Sequence, residues 1–275
     1  MVDHISAANA GTVSLGEDLE VNRLGIGTNR TSDSETSREV LRRAVELGVQ
    51  LIDTADVYTK SASESTIADT LHPYPLEVAI ASKGGIITDG QDSSYDYLSA
   101  ALERSRERLR KQAIDLYYVH RLDGVTPIAE TAQFLKEALE AGTIRAAGLS
   151  NVTVADIEAF RQIVPIAAVQ NQYSVLQRSD EAVLEYCEGH GIVFVPYQPL
   201  KAGVTDEALA TLASIGGKYD LEPQQVAIAW LLHRSPVVAP IPGTQSIPHL
   251  EANVRAASVE FGENDLATLN GLAGT

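Results

Sequence analysis

QLIDTADVY, Gln50–Tyr58, opens as a strand-length apolar run, stops on an aspartate and carries a tyrosine in the loop that follows. A helical pattern precedes it: Thr36-Ser37-Arg38-Glu39 fits a capping box, Val40, Leu41, Ala44 and Val45 share one face, and Gly48 ends the helix. The next apolar run, Val78–Ser82, is again short, and Lys83 follows it directly. Short apolar runs separated by segments of helical period are the pattern of βα units around a parallel sheet.

Extended outward, the alternation yields eight strands: Leu24–Gly27, Gln50–Asp53, Val78–Ser82, Leu116–His120, Ala146–Ser150, Ala168–Gln170, Val193–Tyr197 and Val237–Ile241. Eight strands close a (β/α)8 TIM barrel, and 275 residues suit one such domain, so the expected fold is α/β with residues 1–275 as a single barrel domain. A β-hairpin around Gly16-Glu17-Asp18 is expected before the first unit. Thr126-Pro127 reads as an N-cap with proline at the first helical position, Gly142 closes that helix, and Ser179 and Gly191 bracket another. Two helices, at about 206–219 and 223–232, stand where a plain barrel needs one, and a last helix covers Glu263 to Leu272.

The formal charge of −16 excludes nucleic acid and anionic membranes as partners, since both require clustered basic residues. Cys187 is the only cysteine, so no disulfide forms within the chain and a reducing compartment is expected. Neither a signal-like N-terminus nor a run of about 20 apolar residues is present, and a cytoplasmic protein is the expectation.

Strands buried on both faces are nearly all apolar, so polar strand ends need a reason. Asp53, Lys83, His120, Ser150-Asn151, Gln170 and Tyr197 all stand at or just beyond the C-terminal ends of strands, which converge on the rim where barrel active sites lie. Tyr58 hangs over the same mouth. An adjacent ammonium, Lys83, favours the phenolate of Tyr58, Asp53 supplies that lysine with a counter-charge, and a neutral His120 can orient a carbonyl oxygen. Such a site protonates an oxygen as charge develops on it, and reduction at it requires a separate hydride source. Taken singly, each residue has a structural role: Asp53 as a loop cap, Lys83 as its partner, His120 as a core histidine, Tyr58 and Tyr197 as sealing rings. Their shared rim turns the reading to catalysis. Trp230 reads as core, and Glu185, Cys187 and His190 on one helix make a weak zinc set.

LIDTADVY (Leu51–Tyr58), the lysine of IASKGG, the histidine of DLYYVHR and the pair in GLSNV, in this order and spacing, resemble the aldo-keto reductase superfamily. The resemblance runs from GIGT at the first strand to LEANV after the eighth. It implies a catalytic tetrad of Asp53, Tyr58, Lys83 and His120, with reduction of an aldehyde or ketone by NADPH, NADH remaining open, and proton delivery from Tyr58. It further implies that Ser150, Asn151 and Gln170 bind the carboxamide and that Tyr197 stacks on the nicotinamide. Gly27, Thr28, Gln198, Leu200, Gly243, Thr244, His249 and Asn253 complete the implied cofactor contacts. The resemblance also implies that no metal takes part, that the partner is a small carbonyl compound and that the protein is a monomer. The family often has basic residues after strand eight, where this chain has Gly243, Thr244, Gln245 and His249, and the glycine that often follows the tyrosine is Thr59. Two rival functions stand beside this one: a Schiff-base aldolase using Lys83, and a cofactor-binding regulatory subunit with little turnover, since potassium-channel β subunits share the fold.

Overall fold

A computed structural model describes residues 5–16, 18–198 and 205–272. Strand β1 (Thr12–Ser14) pairs antiparallel with β2 (Glu20–Asn22), setting Val13 opposite Val21, and this is the expected hairpin. Its inward side chains, Val13, Leu15 and Val21, pack in one buried cluster with Leu51, Ala79, Leu116, Ala146 and Val193 from the barrel strands. The Asn22 amide donates to Gln50 Oε1 at 2.8 Å, and Arg145 donates to the Asp18 carbonyl at 3.2 Å. Both partners stand at strand beginnings, so the hairpin plugs the N-terminal end of the barrel and leaves the other end for chemistry.

The main sheet runs through β3 (Ile26–Gly27), β4 (Leu51–Asp53), β5 (Ala79–Gly84), β8 (Leu116–Val119), β9 (Ala147–Ser150), β10 (Ala168–Gln170) and β11 (Val193–Phe194), every pairing parallel. A small hairpin, β6 (Ile86–Ile87) with β7 (Gly90–Gln91), stands between β5 and β8. The expected eighth strand, Val237–Ile241, is not a regular strand. It nevertheless closes the ring: Ala239 N donates to Phe194 O at 2.9 Å on one side, and Gly25 N donates to Pro240 O at 3.0 Å on the other. Pro240 has no N–H, so the ladder cannot continue through it. The seventh strand is likewise shorter than expected, because Pro196 interrupts its donors, although Tyr197 N still reaches Asn171 O at 3.2 Å.

The helices, α1 (Glu35–Glu46), α2 (Ala62–Leu71), α3 (Tyr95–Leu109), α4 (Ile128–Glu140), α5 (Val154–Arg161), α6 (Glu181–His190), α7 (Asp206–Tyr219), α8 (Pro223–Arg234), α9 (Ile247–Arg255) and α10 (Glu263–Gly271), surround the sheet. The expected extra helix is present as α7. The capping box at Thr36–Glu39 is not formed. Ser34, in extended backbone with φ −140°, accepts from Ser37 N instead, so the helix starts earlier and Glu39 lies within it. Pro127 is the N-cap of α4 rather than its first residue, since the Thr126 hydroxyl donates to Asp123 at 2.6 Å. Asp180 replaces Ser179 as the N-cap of α6, Ser179 accepting from Gln177. Trp230 is fully buried, lies parallel to Tyr173 and donates to Asn270 at 2.9 Å, a core residue as expected.

Candidate active site

Side chains alternate across a strand, so one inward residue places the rest. Leu51 faces the barrel interior and Asp53 follows at the same phase; Ala79 and Ala81 lead to Lys83, Leu116 and Tyr118 to His120, Ala146 to Ser150, and Ala168 to Gln170. Each polar group therefore continues an inward apolar row at the open end. Beneath them the Tyr118 ring fills the bore. Gly148 permits this, since a Cβ there would meet that ring at 2.4 Å.

Lys83 is wholly buried, and its Nζ donates to Asp53 Oδ1 at 2.6 Å and to the Thr54 carbonyl at 2.7 Å. Asp53 Oδ2 accepts from Gln170 Nε2 at 2.8 Å, so both carboxylate oxygens are engaged. Nζ also stands 5.1 Å from the centre of the Tyr58 ring, and that ring meets His120 edge-on at 6.0 Å. Burial alone depresses the Lys83 ammonium, but Asp53 and then Tyr58 hold it above its ordinary value. The expectation that Lys83 lowers the Tyr58 phenol is met only in part: burial raises it and wins, with Lys83 the largest opposing influence. His120 is held down to about 3, first by burial and then by Lys83 and Arg121, so its ring is neutral, with Nδ1 buried and unpartnered.

A cavity of about 580 Å³ opens above this group, lined by Asp53, Tyr58 and His120 and by the expected Gly27, Thr28, Ser150, Asn151, Gln170, Tyr197, Gln198 and Gly243. Lys83 lies below its floor. Tyr197 donates to Asn151 Oδ1 at 2.5 Å, and Asn151 Nδ2 donates to Ser150 Oγ at 2.9 Å, so these side chains hold one another over the mouth. Gly27 and Gly243 must be glycines for close approach: a Cβ on Gly27 would come within 2.8 Å of Ile241 O, and one on Gly243 within 2.8 Å of Gly27 O. Three expected contacts are not on the cavity wall. Thr244 hydrogen-bonds with Ser246, His249 is exposed on the first turn of α9, and Asn253 accepts from Gln225 at 2.9 Å. Leu200 lies outside the described residues.

The rest of the wall is Asn29, Arg30, Ile86, Arg121, Gln224 and Ile241. Ile86 belongs to the β6–β7 hairpin, which turns through Thr88 and Asp89 and whose signal in the sequence was the dipeptide Asp89-Gly90. Thr59 has φ 49°, a left-handed backbone that explains why glycine suits this position, and its hydroxyl donates to Thr31 O at 2.7 Å. Burial pushes the Cys187 thiol up to about 12, which leaves it inert. Among the described residues no group of three or more His, Cys, Asp or Glu is arranged to hold a metal ion, and no helix is long and apolar enough to cross a membrane.

The sequence model of the aldo/keto reductase family matches residues 22–273. The chain belongs to this family. Among curated proteins it is 36% identical to an uncharacterized oxidoreductase of Schizosaccharomyces pombe, over 97% of this chain and 91% of that one. It is 34% identical to pyridoxine 4-dehydrogenase of Escherichia coli strain K12, over 96% and 99%. An aldo/keto reductase from Klebsiella pneumoniae, solved in complex with NADP and acetate, superposes with a TM-score of 0.85 at 26% identity, covering 95% of this chain and 94% of that chain. As a member of this family the chain is an oxidoreductase, and its relatives share the (β/α)8 barrel.

Proposed function

We propose that this protein reduces an aldehyde or ketone to the alcohol, reversibly, with NADPH as hydride donor and Tyr58 as proton donor. The observation that carries the reading is the buried Lys83 ammonium, fixed by Asp53 at 2.6 Å and set 5.1 Å from the Tyr58 ring on the cavity floor. Burial keeps the phenol protonated at neutral pH, and the neutral His120 donates a hydrogen bond that orients the carbonyl oxygen toward it. As the Tyr58 proton leaves, the phenolate forms beside a charge already in place, so little reorganisation is needed. Asp53 acts on substrate only through Lys83, and Gln170 fixes the other oxygen of that carboxylate.

The cavity fits a nicotinamide ring. Its volume is within the range of cofactor sites, Gly27 and Gly243 stand on its wall, and the carboxamides of Asn151 and Gln170 line it together with the Ser150 hydroxyl. When bound, NADPH supplies the hydride to the carbonyl carbon. Ser150, Asn151 and Gln170 would hold its carboxamide, Tyr197 would cover the ring, and Gly27, Thr28 and Gln198 would flank it. Gly243 and Thr244 would meet phosphate oxygens near the start of α9, with His249 and Asn253 on the adenosine side. The absence of lysine and arginine from 243–249 leaves NADH as a competing donor. The reading is of a single domain that works as a cytoplasmic monomer on a small carbonyl compound.

The Schiff-base alternative finds no support, because the Lys83 amine is charged, paired and fully buried. The test is consumption of NADPH and NADH across a panel of aldehydes and ketones, pyridoxal included. Tyr58→Phe is expected to remove reduction, by roughly 10²-fold or more, with cofactor affinity nearly intact. Undiminished turnover in that variant, or binding of cofactor with no carbonyl reduced, overturns the proposal.

A further inference from the structure

Arg121 follows His120 directly and lines the cavity together with Tyr58, His120, Asn151 and Tyr197. Its charge acts on the site: after burial and Lys83 it helps hold the His120 imidazolium down, and its charge and hydrogen bond oppose the burial that raises the Tyr197 hydroxyl. No carboxylate lies within 4.0 Å of it among the described residues. The acid nearest in sequence, Asp123, is fully engaged elsewhere: Oδ1 accepts from the amides of Val125 and Thr126, and Oδ2 from Ser93 N and the Thr126 hydroxyl. Asp53 is the one carboxylate among the described residues of the wall, and Lys83 cancels its charge. A chain of net charge −16 thus keeps an unneutralised guanidinium beside its carbonyl-orienting histidine.

The cofactor phosphates do not account for it. In the eight-membered ring the strand before Arg121, β8, lies opposite Val237–Ile241, which leads to Gly243 and the proposed phosphate end. The other cation of the wall, Arg30, is on that far side, where its carbonyl accepts from Gln245. The two arginines face different parts of whatever fills the cavity. A guanidinium recognises carboxylate and phosphate oxygens through paired, charge-assisted hydrogen bonds, and Arg121, exposed at the cavity rim, is open to such a group.

We infer that Arg121 is a specificity-determining residue which binds an anionic group, carboxylate or phosphate, on the carbonyl substrate, so that small acidic aldehydes and ketones are the preferred class. The inference rests on the reductase reading above.

The experiment measures kcat and KM at saturating NADPH for two matched pairs, 4-formylbenzoate against its methyl ester and pyridoxal 5′-phosphate against pyridoxal. The anionic member of at least one pair is expected to have the higher kcat/KM. In Arg121→Gln that preference is expected to fall roughly 10- to 100-fold, the size of a charged hydrogen-bonded contact, through KM more than kcat, and Arg121→Lys is expected to restore part of it. The pair that responds tells carboxylate from phosphate. Equal kcat/KM within both pairs, or a loss in Arg121→Gln that tracks weakened NADPH binding by fluorescence titration, overturns the inference while the reductase reading stands. No reduction of any of the four compounds overturns both.

Discussion

Asp53 and Asp56, three residues apart, show how neighbouring carboxyl groups meet different surroundings. Asp53 has a hydrogen-bond donor on each oxygen, one of them the Lys83 ammonium at 2.6 Å. Asp56 is equally buried, but its Oδ1 has no partner and burial, reinforced by Glu64 on α2, pushes its carboxyl up to about 7 against the pull of Arg108 and Arg104 on α3. A folded-state value above the unfolded one means that the folded chain retains a proton which the unfolded chain releases. The stability held with Asp56 protonated is complete below the ordinary carboxylate range and is lost as pH rises through about 7. Asp56→Asn cannot ionise, so its stability relative to the parent should improve by roughly 2–3 kcal/mol between pH 5 and pH 8. Urea melts at the two pH values measure this, and a constant difference rejects the assignment. For Asp53→Asn the opposite holds: a buried ammonium loses its counter-charge, which should cost about 3–5 kcal/mol in the same melts and lower kcat through the misplaced lysine. Retention of both stability and turnover in that variant contradicts the role given to the pair.

At the scale of elements, apolar period and polar termini made the strands and most helices readable, because both signals are local. The starts of helices were less readable. Thr36-Ser37-Arg38-Glu39 and Ser34-Glu35-Thr36-Ser37 are competing N-termini, and which cap forms depends on where the chain leaves β3 and its loop, since Ser34 reaches the Ser37 amide and Ser32 N in turn meets the Ser37 hydroxyl. Ser34→Ala should therefore cost about 1 kcal/mol, and Thr36→Ala much less. Thermal or urea unfolding of the two variants compares them directly, and a reversed order restores the later start. The eighth barrel segment has an apolar pattern that suits a strand, yet Pro240 and the short reach of its neighbours leave a hydrogen-bonded seam in place of a ladder.

At the scale of the molecule, barrel closure converts residues scattered from Gly27 to Gly243 into one wall. The row Leu51–Asp53, the row Ala79–Lys83 and the row Leu116–His120 could each be written down from alternation alone, and with eight parallel strands their polar ends had to share a rim. Residue type and position on the strands were thus set by the sequence itself: the barrel, the hairpin ahead of it and the placement of Asp53, Lys83 and His120 at strand ends are all legible there. Which way the balances fell was decided by tertiary packing. Burial outweighs Lys83 in its effect on the Tyr58 phenol, Asn253 turns to Gln225, Asp123 accepts from its own loop and from Ser93, and Arg121 is left without a carboxylate partner. These outcomes depend on desolvation and on distances between groups far apart in the chain, and both quantities come into existence only when the ring closes.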